Sequence, residues 1–130
     1  MFHVGSEEEL LAHIKKHQNF SCTTVDGLDF PAEFPVDLTE GIFLGCRFVA
    51  GTTMPETLAG ALFADCRMGG LLFSNANLFG ARFLRCDLGG SVFRGCDLSA
   101  AQFTDCHLDL TRFQDCDLDA AQLPDCAAAA

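Results

Sequence analysis

Two adjoining stretches of the chain, Ala81-Arg-Phe-Leu-Arg-Cys-Asp-Leu-Gly-Gly90 and Ser91-Val-Phe-Arg-Gly-Cys-Asp-Leu-Ser-Ala100, carry the same order of residue types. Each stretch divides into two fives, and a large apolar residue stands at the centre of each five. The spacing continues on both sides without interruption, which identifies an internal repeat. The central residues in order are Phe63, Met68, Phe73, Leu78, Phe83, Leu88, Phe93, Leu98, Phe103, Leu108, Phe113, Leu118 and Leu123.

A smaller residue stands two positions before each central residue. From residue 61 to residue 121 this position holds Ala, Cys, Ser or Thr, and only Leu71 is large. The same phase extends back to Leu38, although Thr53 and Glu56 interrupt it. Each five therefore offers one large and one small side chain to a core.

An apolar period of five fits neither an α-helix nor a plain strand, whose periods are about 3.6 and 2 residues. It fits a chain that turns a corner after every five residues, so that four corners close one coil of twenty. Successive coils would stack about 4.8 Å apart, and their backbone groups would pair with the coils above and below. Stacking by twenty predicts two opposite walls of Phe and two walls of Leu. The expected columns are Phe63, Phe83 and Phe103 facing Phe73, Phe93 and Phe113, and Leu78, Leu98 and Leu118 facing Leu88 and Leu108.

Several central Leu residues directly follow Asp or Asn, as in Asn77-Leu78, Asp87-Leu88, Asp97-Leu98 and Asp117-Leu118. With this dipeptide the sequence resembles the pentapeptide-repeat family, whose consensus is roughly A-(D/N)-L-x-x. The resemblance runs from about Val36 to Cys126. It implies an all-β solenoid, the right-handed quadrilateral β-helix of that family. Cys often stands here in place of the consensus Ala, and both residues are small and readily buried.

The first residues predict a helix that caps the solenoid. Ser6 and Glu9 have the spacing of a capping box, and an apolar stripe follows through about His17. The stripe consists of Leu10, Leu11 and Ile14. Because the end of a solenoid exposes an apolar edge, we expect this helix to cover the first coil.

These patterns predict one domain with three parts. Residues 1–35 form an N-terminal helix and capping segment, residues 36–126 form the β-helix, and residues 127–130 form an Ala tail that is expected to be disordered. Residues 49–57 are expected to form a bulge or loop, because Glu56 would otherwise point into the core without a partner. The last coil has no evident cap, so its end is a candidate homodimer interface.

The charge of the chain limits the classes of partner. The 130 residues carry a formal net charge of −10, which disfavours direct binding of nucleic acid or of an anionic membrane. The sequence has no apolar run long enough for a transmembrane helix and no secretory signal pattern at its start. We therefore expect a cytoplasmic protein whose partner is another protein, for which a basic partner suits the charge.

The residues that could carry chemistry have simpler interpretations. Stacked Cys columns do not converge on one point as zinc ligands must, so the sequence predicts core thiols, neither a metal site nor disulfides. His13 and His17 lie four residues apart and are interpreted as a solvated helix face. No phosphate-binding glycine loop is present, and we expect no cofactor, no catalytic residue and no enzyme activity. The inward Cys residues are Cys46, Cys66, Cys86, Cys96, Cys106, Cys116 and Cys126.

Two groups of outward residues are candidates for partner binding. The first is acidic and contains Asp97, Asp105, Asp109, Asp117 and Asp119, with Asp97, Asp117 and Asp119 expected on one wall. Solubility alone is the competing interpretation of these charges. The second group is apolar, because Leu72 and Val92 should be vertical neighbours with Phe79 near the next corner. Single exposed apolar residues are normal, whereas a contiguous group indicates a contact patch.

The leading functional hypothesis is a non-catalytic protein-interaction module with a rigid acidic surface, since a fixed lattice of side chains loses little entropy on binding. The family resemblance implies an alternative, a DNA mimic that inhibits or protects a type II topoisomerase such as gyrase, as quinolone-resistance pentapeptide proteins do. The chain shares their acidity. It departs from them in being short, with roughly 4.5 coils over about 22 Å, and in lacking a dimerising C-terminal helix.

Overall fold

The computed structural model describes residues 2–17, 19–21, 23–31, 37–123 and 127–128. These residues form a parallel β-solenoid of about 5 turns with one short helix near the N-terminus. The helix, α1, spans Glu7–His17. The strands are β1 Phe2–Val4, β2 Thr23–Asp26, β3 Ile42–Leu44, β4 Leu62–Ala64, β5 Leu72–Ser74, β6 Arg82–Leu84, β7 Val92–Arg94, β8 Gln102–Thr104, β9 His107–Leu108, β10 Arg112–Gln114 and β11 Ala127–Ala128.

The solenoid has four walls, which we number in the order in which the chain passes them. Wall 1 is the six-stranded sheet β1-β2-β3-β4-β6-β8, and wall 3 is the three-stranded sheet β10-β7-β5. Wall 2 is a ladder of single bridges from Asp29 to His107 together with β9 and β11. Wall 4 is a second ladder that runs from Asn19 through Asp97 to Asp117. Every strand pair is parallel, as stacked coils require.

The predicted stacking by twenty residues is confirmed along wall 1 from β3 downward. Phe43 pairs with Phe63, Phe63 with Phe83, and Phe83 with Phe103 along wall 1. The rings of Phe83 and Phe103 stack with centroids 4.7 Å apart, and those of Phe73 and Phe93 on wall 3 stack at 4.3 Å. Across the interior Phe83 and Phe93 meet edge to face at 6.3 Å, so rings from the two walls fill the space between them.

The solenoid begins earlier than the sequence analysis predicted. Phe20, Val25 and Phe30 are buried and five residues apart, and they form a first coil that the analysis assigned to the capping segment of residues 1–35. Val25 pairs with Phe43, an offset of 18 residues where later coils have 20. This shorter coil shifts the phase of the repeat, which hid it in the sequence. Pro35 and Val36 lie outside the described residues.

Residues 49–57 contain a one-residue shift in register and no separate loop. Thr53 pairs with Leu72, an offset of 19 residues, whereas Thr57 pairs with Asn77 at the usual 20. The shift makes Met54 the buried central residue of this side and leaves Glu56 exposed. The expected irregularity is therefore present, and it keeps the carboxylate out of the core.

The same shift buries the hydroxyl of Thr52, whose Oγ1 has no hydrogen-bond partner. We expect Thr52→Val to raise the free energy of unfolding by about 1 kcal/mol, because the isosteric methyl group removes an unsatisfied polar atom without changing the packed volume. Urea unfolding of both proteins measures this difference. A Thr52→Val protein that is less stable than the wild type would mean that the hydroxyl is bonded in solution.

The C-terminal end of the solenoid is open within the described residues. Leu118 and Leu123, expected to point into the core, are 41% and 40% exposed because no further coil stacks below them in this part of the chain. Ala127–Ala128, expected to be disordered, pair with β9 as β11. Asp125 and Cys126 lie outside the described residues.

Helix α1 has the predicted capping box. Ser6 Oγ accepts a hydrogen bond from the Glu9 backbone N–H at 3.1 Å and donates one to Glu9 Oε1. Glu9 Oε1 also accepts the N–H of Gly5 at 3.3 Å. Leu10 is fully buried as expected, whereas Leu11, placed in the same stripe by the sequence analysis, is exposed.

The prediction that His13 and His17 form a solvated helix face is wrong for His13. That side chain is 7% exposed, and its Nε2 lies 2.7 Å from the carbonyl oxygen of Asn19. Its ring packs against Phe20 at 4.8 Å and against His17 at 4.6 Å. Phe2 of β1 closes the group by contacting both imidazoles. These rings attach the helix to the first coil.

This ring cluster makes the stability of the N-terminal end sensitive to pH. Partial burial, with His13 and Lys16 nearby, lowers the pKa of His17 below its ordinary value. The unfolded chain therefore takes up a proton on His17 before the folded chain does, and stability falls as the pH drops below about 6.5. We expect a lower melting temperature at pH 5.5 than at pH 7.5, and a smaller difference in His17→Gln. An equal difference in both proteins would remove His17 as the cause.

Candidate interaction surface

The six Cys residues in the described part of the chain are structural hydrogen-bond donors. Cys46, Cys66, Cys86, Cys96 and Cys106 are buried, Cys116 is partly buried, and all six are free thiols. Each thiol donates to the carbonyl of the central residue one coil above, as Cys86 does to Phe63 at 3.1 Å and Cys96 to Phe73 at 3.3 Å. Burial raises the pKa of the Cys96 thiol, so it keeps the proton that it donates. Cys therefore adds a bond that the consensus Ala lacks.

Wall 4 brings together Asp97, Asp117 and Asp119, as the sequence predicted. Asp97 pairs with Asp117 in the ladder, and Asp119 follows two residues later. Asp97 Oδ1 accepts the N–H of Ser99 at 3.0 Å, and Asp117 Oδ1 accepts the N–H of Asp119 at 3.0 Å. The Asp before Leu thus holds the corner in place and still exposes carboxylate oxygen to solvent.

Wall 4 carries carboxylates in the coil of residues 37–40 and in its last two coils. Its residues 37–40, 57–60, 77–80, 97–100 and 117–120 include five carboxylates and no Lys, Arg or His. The ion pairs of the described residues, Arg85 with Asp65 and Arg47 with Asp29, lie elsewhere. Hydrogen bonds from the side chain and the backbone of Ser99 lower the pKa of Asp97, so this carboxylate is ionised at neutral pH. The five carboxylates are Asp37, Glu40, Asp97, Asp117 and Asp119.

The remaining predicted residues lie on other parts of the surface. Phe79 stands on wall 4 itself, 54% exposed, and its N–H is bound by Asn77 Oδ1 at 3.0 Å. Leu72 and Val92 are vertical neighbours as predicted, but on wall 3, so Phe79 does not share a wall with them. Asp105 stands at the corner after β8, and Asp109 follows β9 on wall 2. The structure therefore separates the candidates and leaves Phe79 with the carboxylates of wall 4.

Wall 1 carries an apolar surface that the sequence analysis did not assemble. Ile42 pairs with Leu62, and Leu44 pairs with Ala64, which pairs with Leu84. These residues alternate with the inward Phe residues of their strands; the Ile and Leu side chains are half-buried, and Ala64 is 6% exposed. The sequence analysis named Leu72, Val92 and Phe79 as outward apolar residues and did not align Ile42 and Leu44 with Leu62 and Leu84. Stacking by twenty residues contains that signal, since 42 and 62, and 44, 64 and 84, fall in line.

A shallow cleft of about 220 Å³ lies between β1 and α1, next to His3, His13 and His17. No group of three or more His, Cys, Asp or Glu side chains in the described residues is arranged to hold a metal ion. No helix in this part of the chain is long and apolar enough to cross a membrane.

Comparison with known proteins agrees with this geometry. Two pentapeptide-repeat profiles match, one with 9 copies over residues 78–122 and one with 8 copies over residues 58–95. The pentapeptide repeat protein Rfr23 from the cyanobacterium Cyanothece 51142 is 14% identical, with a TM-score of 0.72 over 95% of this chain and 100% of that one. A trypsin-treated form of QnrB1, a plasmid-mediated fluoroquinolone resistance protein, is 16% identical, with a TM-score of 0.55 over 98% of this chain and 74% of that one. No curated protein sequence matches. The repeats and the stacked coils together show that the chain belongs to the pentapeptide-repeat family.

Proposed function

We propose that the chain is a non-catalytic protein-interaction module whose wall 4 receives a basic segment of a partner protein. The observation that supports this proposal is the separation of charge. Wall 4 has five carboxylates and no cationic side chain, whereas every Arg of the solenoid lies on another wall or corner. Carboxylates that lack ion-pair partners on a rigid lattice attract cations without first breaking internal ion pairs.

Phe79 gives this wall an anchor. Its ring is exposed between Ala59 and Ser99, the corresponding residues of the coils above and below. Small neighbours leave the ring face accessible, and an aromatic face attracts Lys or Arg in addition to the carboxylates. Aromatic residues, Phe among them, are enriched in protein interfaces relative to the rest of the surface.

The C-terminal end of the solenoid is the candidate homodimer interface. Leu118 is 41% exposed in the last described coil, and a second copy of the chain would cover it there.

A pair of charge-removing substitutions tests the wall directly. Asp97→Asn with Asp117→Asn removes two charges but keeps the corner hydrogen bonds, because Asn77 already makes this bond on the same wall. We expect the double variant to weaken binding of a short fluorescent peptide rich in Lys and Arg by about three- to tenfold, as measured by anisotropy at low salt.

The matched control is Asp105→Asn with Asp109→Asn, which changes the net charge equally but lies off wall 4. We expect it to change the affinity less than twofold. Equal weakening by both pairs would show that the peptide responds only to net charge, and the proposal for wall 4 would fail.

Inhibition or protection of a type II topoisomerase is the second candidate, supported by linear charge density. A net charge of −10 over five coils, about 24 Å, is one charge per roughly 2.4 Å, close to one per about 1.7 Å in duplex DNA. A gyrase supercoiling assay, with and without a quinolone, tests this function. Neither inhibition nor protection at micromolar protein would remove it.

A further inference from the structure

The apolar surface on wall 1 is contiguous and has a hollow near its centre. We call it the wall 1 patch; it consists of Ile42, Leu44, Leu62, Ala64 and Leu84. Ala64 is only 6% exposed although it points outward, because Leu44 and Leu84 stand directly above and below it. The patch therefore has a hollow at Ala64 with leucines on both sides. One apolar side chain of a partner fits into this hollow.

The boundary of the patch is sharp. Above it Thr24 pairs with Ile42 and Asp26 pairs with Leu44. Below it Arg82 pairs with Leu62 and Thr104 pairs with Leu84. An outward surface that needs only solubility has no reason to concentrate five apolar residues in three coils and none in the next. This clustering of apolar residues indicates contact with another molecule at the coils of β3, β4 and β6.

The backbone of wall 1 restricts what can cover the patch. Backbone amides within the patch already donate hydrogen bonds to the neighbouring coil. Leu62 N–H binds Gly41 O at 2.9 Å, and Arg82 N–H binds Ala61 O at 2.8 Å. An added strand would find no free backbone groups on this face. A helix needs none, and helices are what cover the faces of parallel sheets. The patch spans two coil steps, about 10 Å, which is the diameter of a helix.

Charges around the patch restrict the partner further. Asp26 and Asp105 lie at its margin, Arg82 lies below Leu62, and Asp65 is held by Arg85 in a bidentate pair at 2.7 and 2.9 Å. Two copies of this acidic chain would bring these carboxylates together, which disfavours self-association here. A partner with cations beside its apolar stripe would pair with them.

We infer that the wall 1 patch is a docking site for an amphipathic helix of a partner protein, with Leu or Ile in its apolar stripe and Lys or Arg along its flanks. This site is independent of wall 4, so the protein presents two different surfaces. One side chain of the helix fills the hollow at Ala64 between Leu44 and Leu84.

The test uses a labelled synthetic helix with a stripe of Leu flanked by Lys. Two comparison peptides have the same stripe flanked by Glu and the same composition in scrambled order. We expect the Lys-flanked helix to bind the full-length protein at least about tenfold more tightly than either comparison peptide in anisotropy measurements. Failure of the helix to bind, or equal binding of the scrambled peptide, would overturn the inference.

Matched variants locate the binding. Leu62→Ser with Leu84→Ser should weaken it about tenfold, whereas Leu72→Ser with Val92→Ser changes two similar outward residues on wall 3 and should change it less than twofold. Asp97→Asn with Asp117→Asn should leave it unchanged, which separates this site from wall 4. Equal loss in both Ser pairs, or a dimer in sedimentation that Leu62→Ser with Leu84→Ser converts to a monomer, would contradict the assignment.

Discussion

Phe83→Ala is expected to lower the free energy of unfolding by about 3–5 kcal/mol, the usual loss for a buried Phe. Phe83 is 1% exposed and stacks between Phe63 at 5.2 Å and Phe103 at 4.7 Å on its own wall. It also meets Phe93 edge to face across the interior. The closely paired backbone of the neighbouring coils holds the walls apart, so the cavity cannot collapse easily.

Urea unfolding followed by circular dichroism measures this effect. Phe79→Ala is the matched control, because it removes the same side chain from an exposed position on wall 4 and should change stability by less than about 0.5 kcal/mol. If the two variants lose nearly equal free energy of unfolding, Phe83 is not buried and Phe79 is not exposed as the stacked coils require.

Ser91→Ala is expected to destabilise the protein by about 1–3 kcal/mol, the range for buried polar groups that lose a partner. Ser91 is fully buried, donates to Met68 O at 2.6 Å and accepts the N–H of Leu71 at 3.0 Å. At the corresponding turns the amide binds the carbonyl three residues back, as Ala61 binds Leu58 and Ala81 binds Leu78. At Leu71 the Ser91 hydroxyl bridges the two groups.

Ser91→Thr is the control for this prediction, because Thr111 occupies the same position one coil below and donates to Leu88 O at 2.7 Å. It should keep most of the stability that Ser91→Ala loses, in thermal or urea unfolding. Full stability in Ser91→Ala would mean that the turn closes on its own once the hydroxyl is removed.

The sequence predicted the walls and columns because one period governs both. Phe83 and Phe93 could be placed on opposite walls from spacing alone, since a coil of twenty residues leaves no other arrangement. Phe20 and Val25 were missed because the first coil is two residues shorter and changes the phase. A search for the five-residue spacing in any phase would have found them.

Side-chain bonding was harder to predict than position. Cys86 and Ala81 both satisfy the requirement for a small inward residue, so spacing does not reveal that only the thiol bonds a carbonyl. The burial of His13 depends on its contact with Phe20, which belongs to a coil outside the recognised repeat. Among the surface candidates, spacing placed Asp97, Asp117 and Asp119 on one wall, and the structure places Asp105 and Asp109 off that wall.

The four-cornered coil has a consequence for insertions and deletions in this chain. Adding one unit of five residues keeps every downstream large side chain directed inward, yet it rotates the outer surface below the insertion by a quarter turn. Asp97 and Asp117 would then leave the vertical line of Asp37, and the downstream Phe and Leu residues would exchange walls while still pointing inward. Only an insertion or deletion of four such units, which is one full coil of twenty residues, keeps the outward residues of each wall in line. The number of five-residue units therefore determines which outward residues share a wall, while the large residues keep pointing inward.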